Sequence, residues 1–531
     1  MIKATKFLLS TGALLVLAAC SVGPRYQRPS VDTPPAFKEA FMSPEAARQW
    51  KAAQPSEDME RGQWWKVFGD TTLNALEQQA MAGNHDLEAA AARLKQARAL
   101  LHGSRSALFP QVDAGFGPTR QRASNASQGL PDDAPNAPAT LWRGQASVSY
   151  EADLFGRVSA NVNAATADEQ QSEALFRSVQ LALQADVAQS YYQIRELDAE
   201  QELYRETVQL REHTLQLMQR RFSEGDIGEL DVARAKSELA SAQSESLGIA
   251  RRRATAEHAL AILLGKAPAE FSFTQDPLQR VSVNIPAGLP SSLLERRPDI
   301  AAAERSMAAA NARIGAAKAA FFPRLDITGA YGYESSELGN LFQWSSRAFL
   351  LGPLVGTMLS LPIFDGGQRQ AGLDRARAKY EEDVASYRQK VLIAFKEVED
   401  NLANLRILGD QTRVQDDAVK ASAHAARLLH VQYREGSISY LDVIDGDRVL
   451  LQQRRVAVQL DGERASAAVN LIRAVGGGWD GGKSAKKLAQ GPGARASLSG
   501  AINGIEGSPI SPAQGMSHAT TSAAGRAPAA D

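Results

Sequence analysis

From Arg157 to Phe222 the chain contains neither glycine nor proline, and Ala, Gln, Glu, Leu and Arg dominate it. A single helix of this length runs roughly 100 Å at 1.5 Å per residue. It is too polar for lipid, with Glu, Arg and Gln on every turn. So long a helix needs a partner for its apolar stripe. Val187, Ile194, Val208, Leu215 and Phe222 share one seven-residue grid, interrupted by Gln201. That spacing predicts coiled-coil packing.

The same object occurs twice. Arg221-Phe-Ser-Glu-Gly-Asp-Ile-Gly-Glu-Leu-Asp-Val232 recurs as Gln432-Tyr-Arg-Glu-Gly-Ser-Ile-Ser-Tyr-Leu-Asp-Val443, an offset of 433 − 222 = 211. Shifted by that offset, the grid becomes Val398, Leu405, Thr412, Val419, Ala426 and Tyr433, with the polar exception in the matching place. A returning helix follows each Glu-Gly turn. Its apolar rows are expected at Ala233, Ala240, Leu247, Ala254 and Ala261, and at Ile444, Leu451, Val458, Ala465 and Ile472, with Gly265 and Gly476 as terminators. The chain reads as two tandem long helical hairpins.

Between helical stretches the period changes from 3.6 to 2. Strands are expected at about 110–122, 141–155, 323–335 and 349–363. Trp142, Ala146, Val148, Tyr150, Ala152 and Leu154 face one way, and Arg143, Gln145, Ser147, Ser149, Glu151 and Asp153 the other. Leu325, Ile327, Tyr331 and Tyr333 alternate likewise with Arg324, Asp326, Thr328 and Glu334, whereas the fourth strand is apolar on both faces. Each strand is long enough to cross a bilayer when tilted. Phe109, Phe155, Phe322 and Phe364 mark the strand-to-helix junctions, as an interfacial girdle would. Four strands cannot close a barrel, and open edges in hydrocarbon cost tens of kcal/mol in total. Strands must then come from other copies of the chain. Two copies give eight strands, filled by side chains, and three give twelve and a lumen, so a trimer is expected.

The N-terminus reads as a signal peptide over 1–19, with Lys3 and Lys6 before an apolar run from Phe7 to Ala19. Leu17-Ala-Ala-Cys20 resembles a bacterial lipobox that places acyl chains, palmitate among them, on Cys20, the only cysteine. Ser21 rather than aspartate follows it, which in lipoproteins of this kind implies passage to the outer membrane. The expected organisation is a lipidated strap over 20–63, a first repeat over 64–265, a Pro-rich linker over 266–297, a second repeat over 298–479 and a low-complexity tail over 480–531. A net charge of −1 and a pI near 6.7 offer no footprint for nucleic acid. The seven histidines are scattered, no metal or catalytic constellation stands out, and no cofactor beyond the lipid is expected. No enzyme is expected.

Together Cys20-Ser-Val-Gly-Pro-Arg-Tyr26, Glu295-Arg-Arg-Pro-Asp-Ile300, Phe321-Phe-Pro-Arg-Leu325, Leu361-Pro-Ile-Phe-Asp-Gly-Gly367, Tyr433-Arg-Glu-Gly436 and Gly476-Gly-Gly-Trp479 form a known pattern. The chain resembles the outer membrane factor family, the TolC-like channels, in its NodT-type lipoprotein branch. The resemblance implies an α+β membrane protein: a homotrimer with a twelve-strand β-barrel in the outer membrane over a twelve-helix α-barrel in the periplasm. It implies passive export of small molecules, with a periplasmic adaptor protein and an inner membrane pump, of the RND type, as partners. The hairpin tips are its narrow end, which makes Arg221, Phe222, Glu224, Gly225, Leu230, Asp231, Tyr433, Glu435, Gly436, Leu441 and Asp442 the docking candidates. Arg427 and His430 are gate candidates. The competing readings are a type I protein secretion channel and a lipid-anchored coiled-coil periplasmic adaptor.

Overall fold

The structure is a computed structural model that describes residues 22–32, 34, 37–40, 63–122, 124–280, 297–350 and 357–477. Cys20, the signal peptide and the 480–531 tail lie outside the described residues.

A 3-10 turn, Trp64–Phe68, leads into α1 (Thr71–Gly83) and α2 (His85–Ser106). Each helix starts on a side-chain cap. Asp70 accepts from the amides of Thr72 and Leu73, and Asn84 from that of Leu87 at 2.9 Å. Asn84 also donates its own amide to the carbonyl of Leu263 at 3.0 Å, which ties this corner to the far end of the first hairpin. Strands β1 (Gln111–Gln121) and β2 (Ala139–Ala152) follow, then α3 (Arg157–Ser223) and α4 (Glu229–Leu263). The second repeat is α5 (Pro298–Ala319), β3 (Arg324–Ser335), β4 (Arg347–Leu350), β5 (Thr357–Ser360), α6 (Gln368–Arg434) and α7 (Tyr440–Ala474). Helices α3 and α6 are both 67 residues long, and α4 and α7 both 35. The offset is 368 − 157 = 211 at the start of the hairpins and 474 − 263 = 211 at their end.

The strands form one antiparallel sheet in the order β1-β2-β3, with β4 and β5 both on the far side of β3. Registers such as Val112↔Val148, Ala146↔Tyr331 and Tyr150↔Ile327 put the apolar residues of all strands on one face, and Gly117↔Arg143↔Glu334 and Glu151↔Asp326 put the charged ones on the other. The fourth strand differs from the single span expected at 349–363. Phe349 pairs with Tyr331 and Leu359 with Leu325, so the register sum moves from 680 to 684 between its two halves. The strand stops at Ser360, and Leu361-Pro362-Ile363 lies outside it. A segment apolar on both faces carries no alternation that could fix a register in advance.

A second correction concerns α4. Ala233, Ala240, Leu247 and Ala254 are exposed, Leu247 at 72 %. The row that packs inward is Ala235, Ala242, Ile249 and Ala256. Glu238 and Arg253 lie on that same side and are buried in ion pairs with Arg211 and Asp198, which turns this face inward. In α3 and α6 the expected grid is buried or half-buried except Phe222, which is 46 % exposed.

The main core sits at mid-height, where Trp64, Trp65, Leu73, Tyr191, Ile194, Ile249, Val398 and Leu471 draw both repeats together. Around it, two segments are tied down by arginines at equivalent repeat positions. Arg195 donates to the carbonyls of Thr274 (2.9 Å) and Asp276 (3.2 Å) and lies over the rings of Tyr191 and Phe273. Its counterpart, at 195 + 211 = 406, bonds Glu39 of the strap at 2.8 Å. Upstream, the strap follows α5 and α6: Pro24 accepts from Asn311, and Arg28 donates to Tyr387.

Gly265 has φ +70, its amide bonds Ile262, and the next amide, of Lys266, bonds Ala261 at 2.9 Å, a Schellman closure. A Cβ there would overlap the carbonyl oxygen of Gly83 and lie 2.7 Å from its carbon. Gly265→Ala is expected to destabilise the protein by more than the ~1 kcal/mol of a left-handed residue, read as a lowered thermal denaturation midpoint.

Glu77 is fully buried in α1 and neither carboxyl oxygen has a hydrogen-bond partner among the described residues. Burial pushes its pKa up to about 9, so it is uncharged at neutral pH. The stability contributed by the protonated form is complete below the ordinary glutamate range and is lost as pH rises through about 9. Glu77→Gln is therefore expected to raise the denaturation midpoint at about pH 8 and leave it unchanged at about pH 4, as checked by a thermal scan at each pH.

Candidate functional site

The two hairpin turns close in the same way. Gly225 (φ +84) and Gly436 (φ +76) follow the last helical turn. Asp226 N bonds Arg221 O at 2.9 Å, and Ser437 N bonds Gln432 O at 3.0 Å, so both are Schellman turns. Helix α7 then opens on a capping box in which Asp442 accepts from the backbone amide (3.0 Å) and hydroxyl (2.7 Å) of Ser439. Asp442 is thus occupied locally, as is Asp231, which pairs with Arg234 at 3.6 Å. Glu224, Leu230, Glu435, Gly436 and Leu441 are exposed at the two tips.

The tips are not equivalent. Phe222 faces outward, whereas its counterpart Tyr433 is turned into a small core with Met218, Tyr440, Val443 and Ile444. Arg221 donates to the Tyr433 hydroxyl at 3.0 Å and lies over its ring, and that hydroxyl faces the Met218 sulfur at 3.6 Å. Two of the docking candidates, Arg221 and Tyr433, are therefore a contact between the hairpins. Burial raises the Tyr433 hydroxyl above its ordinary pKa and pushes Tyr440 up to about 12, so both stay neutral in the physiological range.

Deeper in, Glu238 of α4 joins three helices. It pairs with Arg211 of α3 at 2.9 Å and is bonded by Arg448 of α7. Its side chain is nearly enclosed, so removing one partner leaves a poorly solvated charge and costs more than losing an exposed pair. Sequence reading missed Glu238, Arg211 and Arg448, because Arg211 lies on a different helix of the same repeat and Arg448 in the other repeat, so no local spacing marks the bridge. Of the gate candidates, His430 Nε2 lies 3.0 Å from Asp447 Oδ1. Arg427 is exposed and has no ion pair among the described residues.

At the other end, the charged face of the sheet is organised in arginine–carboxylate pairs. Arg143 bonds Glu334 and Arg324 bonds Asp326, each at 2.7 Å, and Arg157 bonds Glu151. The opposite face exposes Val112, Phe116, Ile327, Tyr331, Phe349 and Leu359. Phe155 stacks on Phe322 at the helix junction, with centroids 5.0 Å apart. Phe116 stacks on Trp142 toward the opposite end.

A family model described as "outer membrane efflux protein" matches residues 76–266 and 289–477, one match on each repeat. The chain belongs to the outer membrane efflux protein family. The toluene efflux pump outer membrane protein TtgF of Pseudomonas putida is 36 % identical over 482 residues, covering 89 % of this chain and 97 % of TtgF. The cation efflux system protein CusC of Escherichia coli is 32 % identical over 471 residues, covering 88 % and 97 %. The solved outer-membrane channel OprN superposes with a TM-score of 0.78 at 29 % identity, over 87 % of this chain and all of that one. The protein is a channel component of an efflux system in the outer membrane, in a family of conduits rather than enzymes. The reading as a periplasmic adaptor falls with that assignment.

In such a conduit, the Arg221–Tyr433 and Glu238–Arg448 contacts hold one hairpin tip to the other. Glu238→Gln is expected to weaken the bridge by roughly 1.5–3 kcal/mol and to admit a large hydrophilic antibiotic, measured as faster uptake and lower resistance in cells. Tyr433→Phe, which loses the hydroxyl but keeps the ring, is expected to act in the same direction with a smaller effect.

Proposed function

We propose that three copies of this chain assemble into one passive conduit, with a twelve-strand barrel in the outer membrane and a twelve-helix tunnel below it. The observation that carries this reading is the four-stranded sheet with two open sides. The outer edges of β1 and of β4/β5 have no strand partner among the described residues, while one sheet face is apolar and exposed. Unpaired backbone groups in hydrocarbon cost several kcal/mol each, so only partner strands make such a sheet viable there. The helices support the same assembly. Ile393, Ile407, Val414 and Leu428 form an exposed heptad row on α6, and Leu210 and Leu217 lie on the matching row of α3, as subunit contacts would require.

Cys20 carries the lipid in this reading. Gly23 packs against Gly315, close to the end of α5 and the start of β3. Three more residues reach at most about 10 Å, which keeps an acylated Cys20 beside the membrane end of the molecule. The hairpin tips, with Phe222, Glu224, Gly225, Leu230, Glu435, Gly436 and Leu441, meet the periplasmic adaptor, and an inner membrane pump of the RND type drives export of small molecules. The tripartite arrangement follows the relatives, whose names assign them to efflux pumps and systems.

The expected result is a heat-labile trimer on semi-native gels of outer-membrane fractions, and loss of palmitate labelling in Cys20→Ser. Deletion is expected to sensitise cells to small toxic compounds. A deletion strain with unchanged susceptibility that has lost an exported protein would instead establish the secretion reading. Because Arg143, Arg157 and Arg324 each pair with a carboxylate, the pore is expected to discriminate weakly between ions. Arg143→Ala frees Glu334 and is expected to shift the reversal potential of single channels toward cation selectivity.

A further inference from the structure

Helices α3 and α7 meet along the seam that joins the two repeats. Gln189 donates to Asn470 at 2.5 Å, and Gln459 donates to Glu200 at 2.7 Å. Between these contacts Glu196 of α3 lays its carboxyl across the backbone of Gly462 in α7. A Cβ at position 462 would overlap Glu196 Oε2 and stand 2.6 Å from its Cδ, so α7 needs a glycine there while Glu196 keeps this position. A glycine inside a helix is otherwise destabilising. The repeat does not reproduce the contact: at the 211-residue offset stand Ile407 and Arg251.

The Glu196 carboxyl has no hydrogen bond or ion pair of its own among the described residues. It borders a groove of about 440 Å³, lined from α7 by Glu463 and Asn470, to which α6 contributes Asn401, Asn404, Ile407, Leu408 and Gln411, none of them charged. Two carboxylates lie close by, Glu200 of α3 and Glu463 of α7. The nearby cations serve Glu200 instead: Arg252 of α4 is 2.9 Å from it and Arg455 of α7 is 3.6 Å away. Burial first, then Glu200 and Glu463, push Glu196 up to about 7, with Arg252 opposing them.

We propose that Glu196, seated on Gly462, is a proton-operated latch between the two repeats. As a neutral acid it rests on the α7 backbone and lets the seam close. As a carboxylate it is repelled by Glu200 and Glu463, lifts off the α7 backbone toward the uncharged α6 side of the groove and loosens the seam. The latched form is complete below the ordinary glutamate range and is lost as pH rises through about 7. The seam is therefore tighter on the acid side of neutrality.

The test is a spin-label distance within one full-length lipidated chain, with labels at the exposed sites Gln193→Cys and Arg473→Cys and labelled chains diluted in unlabelled ones. Between about pH 5 and 8.5, the wild-type distance is expected to lengthen with a midpoint near neutrality. Glu196→Gln is expected to stay short throughout, and Gly462→Ala to stay long throughout. A wild-type distance that ignores pH, or a Glu196→Gln chain that keeps the wild-type step, would overturn the latch. If Gly462→Ala does not assemble, the wild-type titration and Glu196→Gln decide the matter. The distance lies inside one chain, so it is independent of whether the assembly is a trimer.

Discussion

A β-strand in hydrocarbon has no water to satisfy its free edge. That single constraint shapes everything else in this chain. Among the described residues, strands β1 to β5 hydrogen-bond only to one another, and the sheet they form is apolar on one face and charged on the other. Such a sheet is stable in a bilayer only within a closed ring. In the proposed assembly the long helices inherit that ring, since each hairpin hangs from a strand pair. Asp153 accepts from the amides of Val158 and Ser159 at the first junction, and Asp365 accepts from those of Gly367 and Arg369 at the second. These caps fix how each helix leaves the sheet.

Duplication produced two similar hairpins, and they have been braced differently. At mid-height the first repeat carries a buried ionic knot. Asp198 receives Arg253 at 2.6 Å and Arg195 at 3.3 Å, and it accepts the amide of Asp276 from the linker. The position equivalent to Asp198 in the second repeat is Gly409, which has no such partners. Arg280 of the linker reaches across instead and pairs with Asp416 and Asp461. The linker is thus a strut between repeats, and the strap bonded to Arg406 is its counterpart on the other side.

Much of this was legible in the sequence, and the reasons are physical. Heptad spacing and Glu-Gly turns report local geometry, so the hairpins and their 211-residue offset could be read directly. Period-2 alternation exposed β1, β2 and β3. The fourth strand resisted because residues apolar on both faces leave no phase to read. The inward face of α4 resisted because its alanines form two apolar rows two residues apart, and only the burial of Glu238 and Arg253 chooses between them. The cross-repeat contacts Arg221–Tyr433, Glu238–Arg448 and Glu196–Gly462 were invisible for another reason. Each joins residues about 210 or more positions apart, where no periodicity operates.

The identical lengths of the paired helices have a consequence for how such a protein can change. With 67 residues descending and 35 returning in both repeats, the two turns lie at one depth. Six turns in a three-fold ring would then make a level rim, which a flat-ended partner can meet all round. An insertion in one arm alone would tilt that rim and shift every knob below it out of its hole. Length drift is therefore tolerated only in whole heptads, and only when all four arms change together.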